Sequence, residues 1–115
     1  MDDAEKRMNM RYEITKLFRF EAAHALTHLP ASHKCHGLHG HSYEVIVGVS
    51  GELVGEWVQD YAELTAAWKP VFNRIDHHNL NDVLDVPTTA ENLAMWLWSE
   101  LSAALPLLCR IEVRE

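Results

Sequence analysis

The first half of the chain is built on alternation. From Tyr12 to His24, the apolar residues Tyr12, Ile14, Phe18, Phe20 and Ala22 share one parity, interrupted by Lys16. Successive strand residues point to opposite faces, so this pattern predicts a strand with one largely apolar side. His24 falls on that same side. From His41 to Gly51 the pattern returns. Tyr43, Val45, Val47 and Val49 alternate with Ser42, Glu44 and Gly48, and the β-branched content favours a second strand. The intervening residues 25–38 contain Pro30, Ser32 and Gly37 and read as a loop. An antiparallel pairing of the two strands is expected.

The period then changes. Tyr61, Leu64, Trp68, Val71, Phe72 and Ile75 recur at helical spacing behind Asp60, with Glu63 completing a capping box. Pro70 lies inside this helix, where it removes a backbone donor and is expected to kink or weaken it. A second helix is expected from the Thr88–Glu91 box, with Leu93, Leu97, Leu101 and Leu105 as its apolar stripe and Pro106 as its end. The last residues return to alternation, with Cys109, Ile111 and Val113 on one face of a final strand that Glu115 continues. Cys109 reads there as a small buried hydrophobe. The order strand, strand, helix, helix, strand predicts an α+β fold, an antiparallel sheet with two helices packed on one face.

Residues 1–11 are polar and mixed in charge, and are expected to be a flexible N-terminal tail ahead of a single domain over 12–115. No signal-peptide core and no stretch near ~20 apolar residues is present, so a membrane role is not expected. With 10 basic against 17 acidic residues, the net charge is −7. That balance argues against a nucleic-acid partner, which would need a basic face. Cys35 and Cys109 are too few for a disulfide framework and fit a reduced, cytoplasmic protein.

Histidine changes the picture. Eight are present, six of them between His24 and His41 and the other two adjacent at His77 and His78. His39 and His41 form an H-x-H at the mouth of a strand, where residues two apart face the same way. His24 ends the preceding strand and can supply a third imidazole. Three protein ligands with an open position describe a catalytic zinc site. An H-x-H pair alone is common without any metal; the third histidine and the nearby Cys35 raise its meaning. His28, His33 and His36 are rival ligands, read here as solvated loop residues. Cys35 has two readings. It can close a structural site as a fourth ligand, or stand beside the metal as a reactive thiolate. Asp76-His77-His78 is a second constellation, either a carboxylate orienting a general acid/base imidazole or cations at a helix C-terminus.

The segments FEAAH, KCHGLHGHSYEV, QDYAEL, IDHHNLND, PTTAENLA and IEVRE, in this order from Phe18 to Glu115, resemble the 6-pyruvoyl-tetrahydropterin synthase / 6-carboxytetrahydropterin synthase family. The resemblance implies zinc on His24, His39 and His41, a catalytic Cys35, and a catalytic pair Asp76 and His77. It implies a pterin anchor at Glu115, with Thr88 and Thr89 as further substrate contacts. It also implies the tunnelling fold (T-fold), in which sheets of several subunits join into a barrel, usually a homohexamer with active sites at subunit interfaces. The short gap between Cys35 and His39 is similar to the 6-carboxytetrahydropterin synthases. These are lyases that convert 7,8-dihydroneopterin triphosphate to 6-carboxy-5,6,7,8-tetrahydropterin, acetaldehyde and triphosphate on the way to queuosine and other 7-deazapurines. The alternatives are 6-pyruvoyl-tetrahydropterin synthase activity, a non-catalytic zinc-binding homologue and, more distantly, a cysteine hydrolase using Cys35 and His77. Two departures from the family pattern are Ala25, where an arginine is frequent, and the end of the chain at Glu115, where the family continues with a threonine and a short tail.

Overall fold

The computed structural model describes residues 1–115. Strands β1 (Tyr12–His24) and β2 (His39–Gly51) pair antiparallel along their whole length, from Tyr12 opposite Gly51 to His24 opposite His39. The alternation sets this register. On one face Phe18, Phe20, Ala22, Tyr43, Val45, Val47 and Val49 are buried, and a slip of one residue would turn them all to solvent. Two helices cover that face. Helix α1 (Asp3–Asn9) precedes the sheet, so the covering pair are α2 (Tyr61–Ile75) and α3 (Ala90–Ser102). Leu64, Ile75, Leu93, Leu97 and Leu101 are fully buried between helices and sheet. Their spacing is the helical period, so one stripe on each helix meets the flat apolar side of the strands.

The remaining strands are β3 (His78–Asn79) and β4 (Leu108–Arg114), giving the order β3-β1-β2-β4. β4 is antiparallel to β2, but β3 runs parallel to β1 through Ala22–His78 and Ala23–Asn79. The sheet is therefore mixed rather than purely antiparallel. The expected flexible tail contains α1, capped by the Asp2 side chain; it buries no residue, and its Arg7 pairs with Glu56. α2 runs through Pro70 without a break, held by buried Trp68 and Val71 on either side of it.

Two further expectations are corrected. The N-cap of α3 is Thr89, whose Oγ1 accepts from the Asn92 N–H at 3.2 Å, and not Thr88. Cys109 is exposed rather than buried. A register shift between Gly48 and Val49 skips Cys109, and the thiol lies 3.3 Å from Glu13 Oε1 on the outer face. A bulge of this kind rotates the extra residue out of the alternation. Gly48 is required at this bulge, because a Cβ there would stand 2.9 Å from the Arg110 Cβ. No helix is long and apolar enough to cross a membrane.

Candidate metal centre

The ends of the long hairpin carry the histidines. His24 stands opposite His39, and Ala22 opposite His41, on the face that the helices cover. The three rings meet edge to face, with centroids 4.6 to 5.1 Å apart. One ring nitrogen from each of His24, His39 and His41 lies within 4.8 Å of the others, so these side chains are positioned to hold a metal ion.

Hydrogen bonds decide which nitrogens are free. The Nδ1 of His24 is 2.8 Å from the Thr88 carbonyl, and the Nδ1 of His39 is 2.8 Å from the Gly37 carbonyl. A carbonyl only accepts, so each Nδ1 carries the proton and each Nε2 keeps its lone pair. Such outer hydrogen bonds fix ring orientation at metal sites. His24 is 1% exposed, and its Nε2 is buried without any partner. Leaving a buried polar atom unpaired costs about 1–3 kcal/mol, which a ligand at that atom would remove. Burial, opposed by the Thr88 carbonyl, lowers the His24 pKa and favours the neutral imidazole that a metal needs.

The scaffold behind His24 is a clamp. Asn81 accepts from the Ala25 N–H at 2.8 Å and donates to the Ala25 carbonyl at 2.9 Å, continuing the pairing that β3 begins. Thr88, expected as a substrate contact, is 1% exposed and is committed to His24 through its carbonyl. Thr89, expected in the same role, is engaged as the cap of α3.

A cavity of about 350 Å³ opens beside the three histidines and is also lined by Lys34, Cys35 and Glu115. Cys35 is therefore next to the cluster, but its sulfur is not part of the convergent set of ligand atoms. Its backbone is held at both ends. The Cys35 N–H donates to His33 Nδ1 at 3.0 Å, and its carbonyl accepts from the Leu26 N–H at 2.9 Å. His33, read from sequence as a solvated loop residue, thus shapes the cysteine loop. His36 ties to the Leu29 carbonyl at 2.9 Å, and His28 is exposed. Glu115 Oε2 lies 3.8 Å from His41 Nε2. Burial, and then the Glu115 carboxylate, push the Tyr43 phenol up, so it stays protonated.

Asp76 and His77 occupy the turn after α2. One Asp76 oxygen accepts from the Glu21 N–H at 2.9 Å and the other is 2.7 Å from His77 Nδ1. His77 adopts φ 57°, and its own N–H reaches the Glu21 carbonyl. A left-handed conformation costs a non-glycine residue roughly 1–2 kcal/mol, so the turn is held by these contacts rather than by local preference. His77 lines a second cavity of about 490 Å³ with Glu21, Ser42 and His78. His41 borders both cavities, and within one chain Cys35 and His77 line different ones.

The family model for 6-pyruvoyl tetrahydropterin synthase matches residues 13–115. The chain belongs to this family. Among relatives of this 6-pyruvoyl tetrahydropterin synthase family member, the 6-carboxy-5,6,7,8-tetrahydropterin synthase of Synechocystis sp. is 39% identical over 111 residues, covering 89% of this chain and 84% of the relative. The dihydroneopterin monophosphate aldolase of Pyrococcus furiosus is 35% identical over 97 residues, covering 84% and 81%. Among solved structures, the Caenorhabditis elegans 6-pyruvoyl tetrahydropterin synthase aligns with a TM-score of 0.83 at 25% identity, over 92% of this chain and 89% of that one. The mixed sheet with its covering helices is thus the T-fold of the family.

The Asp76–His77 pair yields a pH prediction. The hydrogen bond His77 donates to Asp76, and then the Asp76 charge, raise the His77 pKa, while the Glu21 N–H and then the His77 contacts lower that of Asp76. The His77 contribution to stability is therefore complete below its unfolded pKa and is lost as pH rises through the raised folded value. That of Asp76 is lost only as pH falls through its own depressed value. In a proton NMR titration, His77 is expected above the ordinary ~6.5, and Asp76→Asn is expected to bring it down. An unchanged midpoint in the variant contradicts the pairing.

Proposed function

We propose that this chain is a zinc-dependent 6-carboxy-5,6,7,8-tetrahydropterin synthase. Its substrate is 7,8-dihydroneopterin triphosphate, and its products are 6-carboxytetrahydropterin, acetaldehyde and triphosphate, on the route to queuosine. The observation that carries the metal is the buried, unpartnered Nε2 of His24 converging with nitrogens of His39 and His41. Three neutral imidazoles fit zinc and leave coordination positions open. Zinc in this site supplies a Lewis acid to the hydroxyl oxygens of the substrate side chain.

The protein's own groups do the rest. Glu115, which lines the histidine cavity, accepts hydrogen bonds from the pterin amide and amino groups and sets its orientation. Cys35 moves a proton as thiolate and thiol. His77, oriented by Asp76 at 2.7 Å, is the second acid/base. That Cys35 and His77 line different cavities of one chain is consistent with sites completed between subunits of a homohexamer, and the same proposal places the enzyme in the cytoplasm. The Synechocystis relative named for this activity, at 39% identity, and the short Cys35–His39 gap favour the carboxy product.

The test is product analysis. Purified protein with zinc is incubated with 7,8-dihydroneopterin triphosphate, and the products are read by mass spectrometry. The expected result is 6-carboxytetrahydropterin with acetaldehyde. A 6-pyruvoyl product assigns the sibling activity instead. A 6-hydroxymethyl pterin indicates aldol cleavage, the activity in the name of the Pyrococcus relative. No turnover with metal bound leaves the non-catalytic zinc-binding reading.

A further inference from the structure

Below the histidine cluster lies a polar group that nothing so far uses. Tyr43 is 1% exposed, and its hydroxyl is buried with no hydrogen-bond partner. The ring does not need that hydroxyl for packing. It stacks on Phe20 at 4.7 Å with an interplanar angle of 4°, and meets the His41 and His24 rings edge-on at 5.6 and 6.2 Å. Phenylalanine would make the same contacts without burying an unpaired donor, so a partner is expected in some state of the protein.

The sheet register indicates which. Glu44 stands opposite Arg114 and Val45 opposite Val113, so the next step of the ladder sets Tyr43 against Glu115. Both then lie on the face that carries His39 and His41. Side chains directly opposite in an antiparallel pair come within about 4.5–5.5 Å at Cβ. In this structure Glu115 leans instead toward His41, 3.8 Å from its Nε2. A His41 nitrogen that holds a metal has no lone pair or proton left for Glu115, and the carboxylate then needs another donor.

We infer that Tyr43 is a positioning residue for the pterin end of the site, its hydroxyl donating a hydrogen bond to the Glu115 carboxylate when ligand is bound. This rests on the reading of Glu115 as the pterin anchor. One carboxylate oxygen is held by the phenol, and the outward lone pairs remain for the pterin amide and amino groups.

The experiment is Tyr43→Phe in the full chain, alone and combined with Glu115→Gln, with binding of 7,8-dihydroneopterin followed by fluorescence titration of the zinc-loaded protein. Thermal unfolding is recorded in parallel. Tyr43→Phe is expected to weaken binding about tenfold, the weight of one hydrogen bond to a charged acceptor, without lowering the melting temperature. A merely structural tyrosine moves the melting temperature and not the affinity. In the Glu115→Gln background the same change is expected to add less than about twofold, since a shared interaction is lost only once. Independent, multiplicative losses overturn the inference. So does wild-type affinity in Tyr43→Phe when Glu115→Gln alone binds weakly, which leaves the anchor standing. Wild-type affinity in Glu115→Gln removes the anchor reading and the inference with it.

Discussion

His39→Ala is expected to lose bound metal and turnover together while the fold persists. The ring is half-buried at the strand end, outside the apolar core, and its only hydrogen bond is to the Gly37 carbonyl. Truncation therefore leaves the packing of β1 and β2 in place. What it removes is one of three convergent nitrogens. Disturbing a mere supporting contact of a metal ligand already costs about 10–100-fold in metal affinity, so loss of the ligand itself is expected to exceed that. Elemental analysis after dialysis measures the metal, circular dichroism the fold, and the product assay the turnover. Full metal content in a folded variant removes His39 from the ligand set. His39 is a cleaner probe than His24, because His24 is 1% exposed and its truncation would open a hole beside Tyr43 and His41.

The reason His24, His39 and His41 were legible before the structure is that alternation is a local code. Parity along Tyr12–His24 and His41–Gly51 places the three rings on the same face as Phe20 and Val45, and the burial pattern follows it. The groups that make those rings into a site are not local. The Thr88 carbonyl that orients His24 lies 64 residues away, and Asn81 is 56 residues from the Ala25 backbone it clamps. A backbone carbonyl carries no side-chain signature, so this role of Thr88 left no mark in the sequence. β3 has only two residues, too few for any period, and its parallel pairing depends on where α2 ends. Cys109 was misplaced because a bulge breaks parity without a sequence mark of its own; Gly48, opposite Arg110, was the one available hint. His33 was passed over because its role is to accept a backbone N–H two residues on, which no spacing rule for metal ligands detects.

Cys35→Ala is expected to keep its metal and lose turnover by about 10²–10⁴-fold, the range for removing a general acid or base. The two halves of this prediction have separate grounds. Metal retention follows from the ligand set: three imidazole nitrogens converge, and the Cys35 sulfur is not among them although it lines the same cavity. Loop integrity follows from the backbone, since the His33 and Leu26 hydrogen bonds to Cys35 use its N–H and carbonyl and survive loss of the thiol. The alanine variant therefore isolates the sulfur's chemistry from its surroundings. Proton transfer is the step that fails, because the proposal gives Cys35 one acid/base role in the cavity it lines and the Asp76–His77 unit a different one. Cys35→Ser refines the result. A hydroxyl keeps the size and a hydrogen-bonding proton but ionises far less readily than a thiol, so it is expected to retain metal and remain close to the alanine variant in rate. Loss of metal from Cys35→Ala would instead make the sulfur a fourth ligand and the centre a closed, structural one. Wild-type turnover in Cys35→Ala would place the proton transfer on another group of the cavity, with Lys34 and Glu115 the titratable side chains left there beside the three histidines.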